Sequence, residues 1–243
     1  MSQTLLQKVQ SDYNKIAKSF SDTRKYPWKD FELLFKNSQP ITHSSQLKIL
    51  DLACGNGRLY NFLNSQFAVH DSQNFKYIGV DNSTELLKQA NIQYSKFKIK
   101  NLEFVFGDIL RIPFPDNSFD QIWCIAAFHH LPKKFQGKGT KEIYRVLKKN
   151  GILVLTVWNL WQFKYLKQIV KAFFKNPLRI KNLFISWRRG ETFVDRFYYA
   201  FTSNELKKTF TKSGFRIEKF FTSKNGQIVP WYKSFNLCLI GRK

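Results

Sequence analysis

Seven short apolar runs separated by helix-patterned segments predict an α/β fold, a seven-stranded, mostly parallel sheet with helices on both faces and an antiparallel last strand. Two observations carry this. Runs such as 49–52, 76–80 and 152–158 are nearly continuous in apolar residues, as strands buried on both faces must be. Gly55 and Gly57 then follow the first run at once, so a buried strand ends in a tight turn where a ligand can lie against the backbone.

Leu5, Leu6, Val9, Tyr13, Ile16, Ala17 and Phe20 recur every three to four residues, which predicts an amphipathic helix over 4–20. Pro27 breaks the loop 21–28, which gathers Arg24, Tyr26 and Trp28. A second helix is expected over 30–35 and a polar connection over 37–46. The first strand and glycine turn lead into a helix over 58–67, whose N-terminus closes the turn. Strand two, 76–80, ends at Asp81, and Asn82 or Ser83 caps a helix over 83–94. Strand three, 103–106, ends at Gly107-Asp108; the turn 113–118 leads into strand four, 119–125. The loop 126–131 with His129 and His130 leaves strand four at the carboxyl end of the sheet, where α/β folds bind ligands. A helix over 140–148 stops at Asn150-Gly151, and strand five covers 152–158.

Residues 159–194 interrupt the alternation. Between 160 and 176 the apolar set Leu166, Ile169, Val170, Phe173 and Phe174 alternates with Lys164, Lys167, Lys171 and Lys175, so one helix face is apolar and another is a lysine stripe suited to phosphates or lipid. Arg179, Lys181, Arg188 and Arg189 extend it. The run 195–201 places Arg196, Tyr198 and Tyr199 near the mouth of the crevice. A helix over 205–212 capped by Thr202 or Ser203, a strand over 215–221 and a last strand over 235–240 complete the pattern.

At 243 residues, with 43% hydrophobic residues, the chain can bury a full core, and one domain over 1–243 is the simplest organisation. Within it, 1–44 is read as a helical cap and 159–201 as a basic, aromatic insertion. The 40 basic and 17 acidic side chains leave a net charge of +23, which calls for a polyanionic partner, nucleic acid by default, or a membrane surface. The excess is uneven: residues 159–243 carry 18 Lys/Arg against 4 acids, a net +14, and residues 1–158 carry 22 against 13, a net +9. Cys54, Cys124 and Cys238 are isolated in apolar runs, which fits a reducing, cytoplasmic setting without disulfides or a metal site. The polar start and the shortness of the apolar runs argue against a secretory leader and against stable membrane insertion.

The glycine turn lacks the third glycine of the dinucleotide fingerprint, because Tyr60 stands there. Asp51, just before the turn, favours a cationic ligand over a pyrophosphate. Asp81, 24 residues after Gly57, stands where a second-strand carboxylate can hold both hydroxyls of an adenosine ribose, and Asp108 suits the amine of an adenine ring.

The series 51–57, Asp81, Asp108 and the approach 113–120 to strand four resembles the class I S-adenosylmethionine-dependent methyltransferases, which are Rossmann-like. The resemblance implies S-adenosyl-L-methionine as cofactor, bound by Asp51, Ala53, Gly55, Asn56, Gly57, Asp81, Asn82, Asp108, Ile109 and Ala126. Ala53 stands where that superfamily often has glycine. A narrower likeness, carried by 13–17, Phe20-Ser21, Thr23-Arg24, Pro27-Trp28, 126–131, Val157-Trp158, 196–201 and Glu205-Leu206, is to the tRNA wobble-uridine carboxymethyl methyltransferases. Phe197 and Tyr199 depart from that family's aromatic-histidine run. The narrower likeness implies tRNA as partner, a small zinc-binding activator subunit at the strand-three edge, and roles at the acceptor for Arg24, Arg196, Tyr198 and His129. Arginines could grip a carboxylate and Tyr26, Trp28, Tyr198 or Tyr199 could stack a base. A small acceptor such as a quinone or carboxylic acid is the alternative, and a non-catalytic RNA-binding relic a third reading.

Overall fold

The computed structural model describes residues 2–38, 46–69, 75–95 and 99–243; most of the expected polar connection at 37–46 lies outside the described residues. Eight strands form the main sheet: β1 (Leu47–Leu52), β2 (Phe75–Asp81), β3 (Leu102–Phe106), β4 (Phe119–Ile125), β5 (Leu147–Trp158), β8 (Arg216–Lys224), β9 (Gln227–Ile228) and β10 (Asn236–Arg242). Their order is β3-β2-β1-β4-β5-β10-β8-β9. β1 to β5 pair in parallel, while β10 runs antiparallel to both of its neighbours, β5 and β8. The α/β fold with an antiparallel last strand is thus as expected, and β9 is a two-residue addition that pairs with β8.

Alternation along each strand sorts side chains into two cores, one on each face of the sheet. On one face Leu50, Leu52, Ile122, Cys124, Leu153 and Leu155 pack with Ile143 and Val146 of α5 (Lys133–Val146) and with Leu206 and Phe210 of α7 (Ser203–Thr211). On the other, Ile49, Tyr77, Trp123, Ile152 and Val154 meet Phe31 and Leu34 of α2 (Asp30–Asn37) and Leu59 and Leu63 of α3 (Arg58–Val69). Helix α1 (Ser2–Asp22) packs against α4 (Thr84–Tyr94) and against the insertion. Ser83 is the cap of α4, its hydroxyl accepting from Leu86 N–H.

Three expectations need correction. Helix α5 runs from Lys133 to Val146 rather than over 140–148, and Gly139 lies inside it where a Cβ would come 2.8 Å from Leu131 Cδ1, so the glycine permits close packing without breaking the helix. The expected stop at Asn150-Gly151 lies inside β5, where Phe119 pairs with Leu147 but Gln121 already pairs with Ile152, so residues 148–151 bulge outward. The insertion holds a shorter helix, α6 (Leu166–Lys175), and a hairpin of β6 (Asn182–Arg189) and β7 (Thr192–Tyr199), turned at Gly190 with φ +57°. Arg196 and Tyr198 are therefore strand residues.

Candidate active site

The β1–α3 turn is built on left-handed backbone: φ is +61° at Ala53, +58° at Gly55 and +76° at Gly57. At Gly57 a Cβ would sit 2.6 Å from Phe104 Cζ, so glycine is required twice over. Gly55 N–H donates to Asp81 Oδ2 at 2.8 Å and Ser83 N–H donates to Oδ1 at 2.8 Å, which clamps the β2 carboxylate against the turn. Tyr77 hydroxyl donates to Asp51. Asn82 donates to Asp108 Oδ2 at 3.2 Å, while its carbonyl accepts from Gln10 of α1.

These residues line one cavity at the carboxyl end of the sheet. Asp51, Ala53, Gly55, Asn56, Asp81, Asn82, Asp108, Ile109 and Ala126 all line it, whereas Gly57 does not and lies against Phe104 and Tyr94. Asp51 and Asp81 are buried and, among the described residues, neither is in an ion pair. Burial pushes Asp51 up to about 7, Tyr77's hydrogen bond opposing it, and pushes Asp81 up to about 6, its backbone hydrogen bonds opposing. A cationic ligand rich in hydroxyls fits this wall, and a pyrophosphate does not.

Basic and aromatic side chains complete the lining of the cavity. Arg24, Arg196, Tyr198, Trp158, Tyr13 and His130 line it. Arg196 is buried, its Nε has no hydrogen-bond partner, and its guanidinium lies 5.0 Å from the ring of Trp187, 5.4 Å from Tyr198 and 5.9 Å from Trp158. Arg24 lies 3.5 Å over the Phe20 ring, and burial, with the charge of Arg58, lowers its pKa to about 10. Neither arginine has an acidic partner among the described residues.

His129 does not line the cavity. It is fully buried behind it, its Nδ1 accepting from Trp158 N–H at 3.1 Å and its ring stacked on Tyr198 with 4.9 Å between centroids. His130 takes the wall position instead. Its Nδ1 lies 2.7 Å from the Phe197 carbonyl, which can only accept, so Nε2 keeps its lone pair and accepts from Tyr13 hydroxyl at 2.8 Å. Burial, aided by Arg196, lowers His130 to about 3 and keeps it neutral. Tyr26 is exposed outside the cavity, and Tyr199 turns its hydroxyl to Glu205 at 2.6 Å. Tyr13 and Trp187 were not singled out as site residues by spacing. Trp187 reaches the site only because the β6–β7 hairpin folds its tip onto the end of α1, where Arg189 donates to Ser19 carbonyl at 3.2 Å.

Against known proteins, the methyltransferase domain family matches residues 43–214. The chain belongs to that family. This methyltransferase is an S-adenosyl-L-methionine-dependent enzyme, and the carboxylate wall suits that cationic, hydroxyl-bearing cofactor. It is 34% identical to the tRNA (carboxymethyluridine(34)-5-O)-methyltransferase of Schizosaccharomyces pombe over 156 residues, which cover 63% of this chain and 58% of that protein. Identity to the demethylmenaquinone methyltransferase of Lactococcus lactis is 28% over 176 residues, 72% of this chain and 66% of that protein. A SAM-dependent methyltransferase from Methanosarcina mazei shares the fold, with a TM-score of 0.67, 22% identity and coverage of 86% of this chain and 96% of that one. Among the described residues no helix is long and apolar enough to cross a membrane, and no group of three or more His, Cys, Asp or Glu could hold a metal ion.

Proposed function

We propose that this methyltransferase esterifies a carboxylate, with the 5-carboxymethyl group of a tRNA wobble uridine as its acceptor. The observation that carries the reading is the pair Arg24 and Arg196, which line the same cavity as Asp51, Asp81 and Asp108 and have no acidic partner among the described residues, whereas the third lining arginine, Arg58, lies in the field of Asp51. An anionic acceptor and a cationic cofactor can then each meet groups of opposite sign in one cavity.

On the cofactor wall, Asp81 holds the ribose hydroxyls with Asn82 alongside, Asp108 and Ile109 flank the adenine, and Asp51 with residues 53–57 and Ala126 surrounds the methionine end. The bound cofactor supplies an electrophilic methyl group on a sulfonium. Arg196 grips the acceptor carboxylate, Arg24 supports it or an adjoining phosphate, and Trp28 and Tyr198 bound the space for a base. A carboxylate is anionic above about pH 5, so no residue needs to remove a proton, consistent with a His130 that is neutral and already hydrogen-bonded. On this reading the described part of the expected N-terminal cap, 2–38, and the insertion, 159–201, serve the acceptor, and the chain works as one domain. An activator subunit at the edge strand β3, where Phe106 is exposed, and a cytoplasmic location belong to the same reading.

Nucleoside mass spectrometry tests it directly. Transfer RNA from cells lacking the enzyme, incubated with protein and cofactor, with and without a candidate activator, should gain the methyl ester of carboxymethyluridine. If no ester forms while a quinol or small acid is methylated, a lipophilic small acceptor replaces it. The apolar stretch of the cavity at Leu6, Val9, Phe31 and Leu131 favours that second reading. At saturating cofactor the pH–rate profile separates them further: it stays flat above about pH 6 for a carboxylate but rises toward alkaline pH for a hydroxyl that must lose its proton.

A further inference from the structure

The surface of α6 carries an apolar strip that the core does not cover. At about 100° per residue the helix presents three arcs rather than two. Tyr165, Ile169 and Ala172 turn inward onto Leu160, Leu183 and Tyr198. Lys167, Lys171 and Lys175 form the lysine arc. Between these two, Leu166, Val170, Phe173 and Phe174 stand exposed, and no residue of α6 is fully buried. Within the helix Phe174 is 81% exposed, and the strip continues beyond both helix ends at Phe163, 91% exposed, and Leu178, 94% exposed.

Charge says what this strip meets. From residue 143 to residue 190 the chain contains 11 Lys/Arg and no Asp or Glu. Lys167, Lys171, Lys175 and Arg179 are exposed and have no acidic partner among the described residues. Phosphate contacts on RNA use the lysines alone and leave Leu166, Val170 and Leu178 in water. A bilayer interface uses both arcs together, acyl chains against the apolar arc and anionic headgroups against the lysines bordering it.

We propose that α6 and its flanking turns are an interfacial docking surface for anionic phospholipid bilayers. The helix lies in the headgroup plane and spans nothing. The proposal is independent of the acceptor's identity, because none of the strip's residues lines the cavity.

The test is flotation of the full chain with two vesicle compositions, phosphatidylcholine alone and phosphatidylcholine with about 30% phosphatidylserine. The chain should float with the anionic vesicles, stay behind with the neutral ones, and be released by rising salt. Phe174→Glu with Leu178→Glu should lower anionic-vesicle binding at least about tenfold, and Lys167→Gln with Lys171→Gln about fivefold for each charge removed. Both double variants should keep the parent's melting temperature and cofactor affinity, because the altered side chains are exposed. Hydrogen exchange over 163–178 should slow only with anionic vesicles. No flotation with anionic vesicles overturns the proposal, as does flotation unchanged in the Phe174→Glu/Leu178→Glu variant. Loss of tRNA binding in the lysine variant without any vesicle binding would instead assign the stripe to RNA. Failure of tRNA esterification leaves these outcomes unaffected, so the two readings fail separately.

Discussion

The charge states of single residues set the first expectations. Asp51 and Asp81, at about 7 and about 6, hold their protons in the folded, ligand-free enzyme over a range where an unfolded chain has released them. Their contribution to folding stability therefore falls as pH rises from about 4 through 7, because the folded state binds the extra protons. A cationic cofactor favours the ionised carboxylates, so binding releases protons. Affinity for S-adenosylmethionine should rise between about pH 5.5 and 7.5, and calorimetry in buffers of different ionisation enthalpy should register proton release below about pH 7. On the proposed assignment of Asp81 to the ribose hydroxyls, Asp81→Ala should weaken cofactor binding by roughly 2–4 kcal/mol in the same calorimeter. On the acceptor side, Arg196→Ala should cut turnover about 10²-fold or more while leaving cofactor affinity close to that of the parent. Lysine should rescue poorly, because a point charge cannot reproduce a planar two-point grip.

At the scale of elements, the glycine turn and the hairpin offer a matched pair of tests. Gly57→Ala places a methyl group at φ +76° and within 2.6 Å of Phe104, so strain and overpacking together should cost about 2–5 kcal/mol in chemical denaturation. Gly190→Ala, at φ +57° with no heavy atom within 4 Å of the new Cβ, should cost only about 1–2 kcal/mol. Gly55, Asp81 and Asp108 were legible in the sequence because local spacing defines a strand end. The basic and aromatic lining of the cavity is only partly legible, because Tyr13, Arg24, His130 and Arg196 come from four separate segments that meet only when α1 and the hairpin fold over the sheet. Adjacent histidines illustrate the limit: composition offers both, and only the turn after β4 decides that His130 faces the cavity while His129 packs against Tyr198. The β6–β7 hairpin is hidden because the basic run Arg188-Arg189 at its turn reads as surface charge, and α5 starts at Lys133, ahead of the expected 140.

Across the whole molecule, the buried Asp30 ties the start of α2 to the far edge of the sheet. Its carboxylate accepts from Ser223 Oγ at 2.6 Å, from Asn236 Nδ2 at 2.8 Å and from Gly226 N–H. Asp30→Ala leaves three donors without their partner and should lower unfolding free energy by about 3 kcal/mol or more in urea, with cofactor contacts untouched. Asn236 belongs to β10, the last of the sheet's strands to leave the ribosome yet seated inside the sheet between β5 and β8. Until β10 is delivered, a nascent chain holds two strand edges open within the sheet. Slow synthesis before β10 therefore exposes sticky backbone away from the rim, a point of vulnerability to aggregation.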